Sequence, residues 1–364
     1  MTRPHCSRPL LAAALGALCL LPSPAALACA FHNYAPSDTV VDRMLGSSQV
    51  VFARPDPARP ARYIAVTALS GPSGDVGIEE PVDPQTAQKL ADHPQDSVLF
   101  ARDGDYGPWV RLTYLDPAYR EVIERIATRL EDWQMGGDED RAQMFAGLLD
   151  HPNAALHRLA LTELDLLPYD RLRRLDLSLS APMLAAELGG GPEPQPGPEA
   201  DPLDLDPIRV LLIGLSGDPD ARQVLRDGLT RSLATPGSLI AGAYATALIE
   251  LTGADGLAEV AAQLTGPAPL AAQPREMLTE ALAIHAQTAE MGPAIHARMA
   301  VILDQQPDLA GAVARQFGSR YDWSQVATLQ RLMQHKRLRS APELISVVQY
   351  LTYAQEAGDP APSQ

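Results

Sequence analysis

The stretch from Asp138 to Leu167, DEDRAQMFAGLLDHPNAALHRLALTELDLL, constrains this chain most, because it reads as two short amphipathic helices joined by a tight turn. Ala142, Phe145, Leu148 and Leu149 fall on one face of the first helix, and Leu156, Leu159, Ala160, Leu164 and Leu167 on one face of the second. Each helix has a single apolar stripe. Asp150, His151, Pro152 and Asn153 interrupt the pattern, and Pro152 is expected in the first turn of the second helix, where a missing N–H costs nothing. Such a pair cannot bury both stripes alone, so similar pairs must stack on it.

Further pairs follow the pattern. Tyr169 to Leu188 continues with helical spacing and ends in three glycines. Ile208, Leu211, Leu212 and Leu215 form one stripe; Gly217-Asp218-Pro219 supplies a turn, a cap and a helix start; Ala221, Val224, Leu225 and Leu229 form the next. Ser238 to Leu251 is almost wholly apolar or small and should be the most buried helix, approached closely through Gly242, Ala243, Ala245 and Ala247. Leu257 to Leu264 forms its partner. Helices opened by Pro274 and Pro293, then 308–317, 323–333 and 342–353, complete the array.

The segment Leu148 to Leu164, LLDHPNAALHRLALTEL, resembles the turn and second helix of a HEAT repeat, with His157 and Arg158 where that repeat carries its usual Arg. The resemblance implies a helical solenoid that presents a binding surface, and it says little about chemistry.

The N-terminal third has a different period. Ser37 is the expected N-cap of a short helix carrying Val40, Val41, Met44 and Leu45. QVVFAR (49–54) and RYIAVTAL (62–69) then read as antiparallel strands across the turn PDPARP. Val76 to Glu80 is a weaker strand, and Asp83-Pro84 caps a helix running to Ala91. SVLFARD (97–103) and WVRLTYL (109–115) form the clearest hairpin. Five strands with one inserted helix make a small closed or half-open barrel. Asp116-Pro117 caps a helix over 118–133, which leads to a bend at Gly136-Gly137. From Cys29 to Trp133 this order resembles the netrin-like domain, an OB-type barrel. In that family a Cys at the mature N-terminus chelates a target's zinc, a role that falls here only on Cys29.

The chain of 364 residues is therefore expected to be α+β and multidomain. A signal peptide (1–28) precedes a β-rich barrel-like domain (29–116), a linking helix with the first repeats (117–188), and a Pro/Gly-rich acidic linker or loop (189–207). HEAT-like repeats (208–356) and a disordered tail (357–364) complete it. Arg3 and Arg8 before the apolar run Leu10 to Leu21, with Ala26-Leu27-Ala28 as cleavage site, mark a secretory leader and a periplasmic destination. Cleavage there leaves Cys29 as the single cysteine, so the fold must be held by packing without a disulfide. A Cys in first position is also a possible site of lipidation and membrane anchoring.

The net charge is −16, and loss of Arg3 and Arg8 with the leader makes it −18, which excludes nucleic acid and disfavours anionic lipid as partners. No cofactor is implied. There is no H-E-x-x-H pair or glycine-rich phosphate loop, and Gly214-Leu215-Ser216-Gly217 sits at a helix end with no strand before it. Cys29 and His32 have a C-x-x-H spacing and are weak candidates for a soft metal, because two ligands do not make a site. His157 and Arg158 are candidates for partner contact, and so is the one basic run, Arg331, Lys336, Arg337 and Arg339, which could dock an acidic partner or the chain's own Pro-rich acidic loop. The functional expectation is a non-catalytic exported scaffold that binds another envelope protein. The alternative is an enzyme, lyase-like or metal-delivering, that uses Cys29, His32 and the solenoid groove.

Overall fold

The computed structural model describes residues 38–71, 76–190, 204–267 and 269–358. The leader, Cys29, His32, Ser37, most of the acidic loop and the end of the tail lie outside the described residues. The fold is α+β: a curled five-stranded antiparallel sheet, a half-barrel, followed by helices.

Helix α1 (Val40–Leu45) is capped by Thr39, which accepts the Asp42 N–H at 3.1 Å while the Asp42 carboxylate accepts the Thr39 N–H at 3.1 Å. An acid three residues after the cap makes this reciprocal pair, which places the cap at Thr39 and not at Ser37. Strands β1 (Gln49–Asp56), β2 (Arg59–Ser70), β3 (Gly77–Pro81), β4 (Ser97–Arg102) and β5 (Val110–Leu115) lie in the order β3-β2-β1-β4-β5, with α2 (Pro84–Asp92) between β3 and β4. Irregular register in three of the four ladders curls the sheet. PDPARP is mostly strand. Pro55 lies beyond the part of β1 that pairs with β4, so its absent N–H leaves no gap there, and the reversal is confined to Pro57 and Ala58.

β1 and β4 are apolar on both faces because both faces are covered. Val51, Ala53, Val98 and Phe100 pack with Tyr63, Ile78 and Leu90 of α2. Val50, Phe52, Leu99 and Ala101 face the other way, into a core that continues without a break through the helices to Tyr350.

The helix expected over 118–133 is two, α3 (Pro117–Ala127) and α4 (Leu130–Gln134). The break at Thr128 and Arg129 accompanies burial of Trp133, whose indole N–H donates to Asp140 at 2.9 Å. The founding pair is present as α5 (Asp138–Ala146) and α6 (Ala154–Asp165). Asn153, not Pro152, starts the second helix, its side chain accepting from the N–H groups of Ala155 and Leu156. The helical spacing expected through Leu188 gives only the short α7 (Tyr169–Leu172) and α8 (Ala181–Glu187). Between them Leu175, Leu177 and Leu179 alternate with polar residues, a period of two that belongs to extended chain. The Gln143 amide accepts the Asp176 N–H and donates to its carbonyl, taking the place of a neighbouring strand.

From α9 (Asp206–Leu215) onward the array is two-layered. α9, α11 (Ala241–Thr252), α13 (Ala272–Ala286), α15 (Ala310–Gly318) and α17 (Ala341–Gly358) pack one on the next. α10 (Ala221–Ala234), α12 (Ala254–Leu264), α14 (Gly292–Gln305) and α16 (Val326–Gln334) form the second layer, each against its neighbours in the first. Residues 241–249 of α11 are all buried, as its composition requires. α10 begins two residues later than Asp218-Pro219 suggests: Asp218 turns back to accept the Asp220 N–H, and the first helical residue is Ala221. α8 packs on α9, and the Gly189 N–H donates to Asp206 at 2.9 Å, so the described ends of the acidic segment lie side by side.

Candidate interaction surface

The residues singled out in sequence are placed in three different settings. Cys29 and His32 lie outside the described residues. Among the described residues no group of three or more His, Cys, Asp or Glu side chains is arranged to hold a metal, and no helix is long and apolar enough to cross a membrane. His157 is buried in the seam between α6 and α8: Nδ1 meets the Leu149 carbonyl and Nε2 lies 3.1 Å from Glu187. Glu187 also accepts from Arg209 of α9 at 2.9 Å, so His157 braces three helices where the acidic segment departs. The neighbouring Arg158 is half-buried on the same helix.

The basic run ends up at the surface. Arg331 pairs with Asp304 at 2.8 Å, and Arg337 donates to the Asp304 carbonyl at 3.1 Å, both at the C-terminal end of α14, where the helix dipole favours cations. Lys336, in the left-handed conformation at φ 52°, turns the chain out of α16. Lys336 and Arg339 face solvent immediately before α17, whose first turn is capped by Ser340 accepting the Glu343 N–H at 3.2 Å.

α17 is the last described helix of the array and carries apolar residues on two sides. Its inner side carries Val347 and Tyr350, the Tyr350 hydroxyl donating to the Asp322 carbonyl at 2.7 Å and accepting from the Gln325 N–H at 3.2 Å. Burial pushes that phenol well above its usual range, so it stays a donor. The outer side exposes Leu344 (43 %), Ile345 (66 %), Val348 (45 %) and Tyr353 (49 %). The first three and Gln349 form one open patch on this side. A helix end-stacked on a repeat array normally turns a polar face outward, and here an apolar ridge flanked by cations stands in that place. Sequence reading placed the helix but missed the face. Part of the signal was there: Ile345 and Val348 lie about 100° or more around the helix from both Val347 and Tyr350, so the apolar residues of this helix occupy two sides.

The remaining ionisable groups of the array lie in its seams. His285 of α13 is buried, its Nε2 3.0 Å from the Thr246 carbonyl and its ring edge-on to Tyr169 of α7. Tyr169 and Arg173 both reach Glu250 of α11, at 3.0 and 2.8 Å, so α7 covers this part of α11. Glu280 of α13 faces Arg320 of the next repeat at 3.2 Å, and Arg315 holds Glu276 in the same seam.

Two of these groups oppose each other in pH. Burial depresses the His285 imidazole to about 4, and burial raises the Glu280 carboxyl to about 7 against the pull of Arg320. A histidine with a depressed folded pKa stabilises above its unfolded value, and that stability is lost as pH falls through the range from 6.5 to about 4. A carboxyl with a raised folded pKa does the reverse, and the fold gains stability as pH falls from about 7 toward 4.5. Each contributes roughly 2 kcal/mol between about pH 7 and pH 5, with opposite sign. Denaturant titrations at the two pH values should therefore show Glu280→Gln losing about 2 kcal/mol more on acidification than the parent chain, and His285→Gln losing about 2 kcal/mol less. Equal slopes for the three proteins would contradict this assignment.

Comparison of the chain with protein-family models, with curated proteins and with solved structures gave no match.

Proposed function

We propose that this chain is an exported, non-catalytic scaffold of the bacterial envelope that binds another protein through the end of its helical array. The observation that carries the reading is the outer face of α17, a solvent-facing apolar ridge beside Lys336 and Arg339. Large exposed apolar patches on an otherwise charged surface mark protein contacts. Support also comes from the polar groups: among the described residues, His157, Glu163, Glu250, His285 and Glu280 are each bonded across a helix seam and serve the packing of the array. The HEAT-like reading of α5 and α6, and the OB- or netrin-like reading of the half-barrel, belong to the same proposal. So do the leader 1–28, the periplasmic location, and a membrane contact only where Cys29 is acylated.

The test is native capture from periplasmic and membrane fractions with the full chain and with Ile345→Glu. A charge at the most exposed ridge position should remove the captured protein while leaving the thermal midpoint within a degree or two, because an exposed substitution costs within about 0.5 kcal/mol. Retention of the same captured protein by Ile345→Glu would place the docking face elsewhere. The intact mass of the recovered chain reads the N-terminus and any lipid on Cys29.

A further inference from the structure

The geometry points to a second copy of this chain as an occupant of the α17 ridge, packed antiparallel across a two-fold axis that passes between Val348 and Gln349. This rests on the reading of the ridge as a docking face and names what docks there.

α17 has 18 residues and is about 27 Å long at 1.5 Å per residue. At about 100° per residue, Ile345 and Thr352 lie along the middle of its exposed side, while Val348 and Gln349 flank that line by equal angles. These positions are symmetric about the point between Val348 and Gln349, one residue from the helix midpoint. A two-fold axis there sets Ile345 of each copy against Thr352 of the other, about 5 Å from the axis on either side, and brings Val348 against its own image. Self-complementarity of one patch is what an isologous interface requires.

Charge decides the direction. The cations Lys336 and Arg339 stand before the N-terminus of α17, and Glu356 is exposed in its last turn. An antiparallel pair brings Arg339 of each copy toward Glu356 of the other, twice over, and sets the helix dipoles head to tail. A parallel pair would set Arg339 on Arg339 and Glu356 on Glu356. The chain as a whole is acidic, at −16. At physiological ionic strength the Debye length of about 8 Å confines that repulsion to near neighbours, and the near neighbours here are of opposite sign.

The experiment is sedimentation equilibrium of the full chain over a wide concentration range at physiological salt. The expected result is a reversible shift from the mass of one chain to that of two. Ile345→Glu should abolish the shift. Arg339→Glu and Glu356→Arg should each weaken association by about tenfold, and the two together in one chain should restore it. A single-chain mass at every concentration overturns the pairing, as does a dimer indifferent to Ile345→Glu. A double charge swap no better than the single ones overturns the antiparallel direction. The outcomes separate from those of the envelope-partner test: a monomer that still loses its captured protein on Ile345→Glu keeps the docking face and discards the self-pairing. A dimer lost on Ile345→Glu that captures no other protein keeps the self-pairing and discards the envelope partner.

Discussion

Replacing Arg141 with Met is expected to cost about 3–5 kcal/mol, more than any surface ion pair of this chain, because it strands a buried carboxylate. Arg141 of α5 holds Glu163 of α6 through Nε at 3.0 Å and Nη2 at 2.6 Å, and the same Nη2 reaches Asp42 of α1 at 2.8 Å. The Glu163 side chain is 2 % exposed, and burial pushes its carboxyl upward while Arg141 pulls it down. Without the guanidinium, burial and the nearby Asp42 push the carboxyl up with only the Thr39 hydroxyl opposing them, and it must take a proton or remain charged in an apolar seam. Two consequences separate this from loss of packing. The variant should regain stability as pH falls and Glu163 protonates, and Glu163→Gln in the same chain should recover most of the loss at neutral pH. Arg141 is also what ties the helix before the sheet to the first helical pair. Amide exchange in residues 40–45 should therefore rise in Arg141→Met well before the sheet opens. Slow exchange there, with an unchanged denaturation midpoint, would show that the pair contributes nothing.

Element type was legible in this sequence wherever one period ran for two turns or more. β1 and β4 announced themselves as QVVFA and SVLFA, and α11 as an apolar run whose one charge, Glu250, stands near its end, because full burial leaves little room for polar residues. What was not legible was interrupted or local. Thr128 and Arg129 break a helix that is apolar in pattern on both sides, and the alternation of Leu175, Leu177 and Leu179 is too short to outweigh the helical prior around it. The caps went to Thr39, Asn153 and Asp220 through side-chain bonds or turns that propensity alone does not rank. The candidate surface was half legible. Arg331, Lys336, Arg337 and Arg339 were readable as a basic run, but Asp304 had to be placed by the fold before two of them could be seen to be engaged. His157 looked like a turn-side residue, and only the approach of Glu187 and Arg209 from later in the chain makes it a brace. That Ile345 and Val348 lie off the inner side of α17 was readable from the helix period, but their exposure depends on no described element packing over them, which no local window contains.

The other large effect is expected at Gly214, a helical glycine of α9 that faces α11 at its most buried stretch. A Cβ there would lie 2.6 Å from the Cα of Ala247 and 2.8 Å from its carbonyl oxygen. Those atoms are backbone, so no rotamer change relieves the overlap, and the two helices must part. Gly214→Ala gains about 1 kcal/mol in helix propensity, yet it should lose 3 kcal/mol or more overall, at the upper end of overpacking costs. Gly228 is the control that tests the reasoning. Its Cβ would overlap the ring of Tyr244, which is buried but is a side chain and not backbone, so Gly228→Ala should cost less than Gly214→Ala only by what a shift of that ring relieves. Ala247→Gly in the Gly214→Ala chain should recover only part of the loss, since it removes the Cβ at 2.7 Å but leaves the Cα and the carbonyl in place. The shape of the transition carries a second reading. In a stacked array each helix pair holds mainly its neighbours, so weakening one interface can split a cooperative unit. α9 and α11 join the half-barrel and first repeats to everything that leads to α17. Calorimetry of Gly214→Ala should therefore show two transitions where the parent chain shows one. A single transition at lower temperature would mean that the continuous core from Val41 to Tyr350 couples the array more strongly than its nearest-neighbour contacts do.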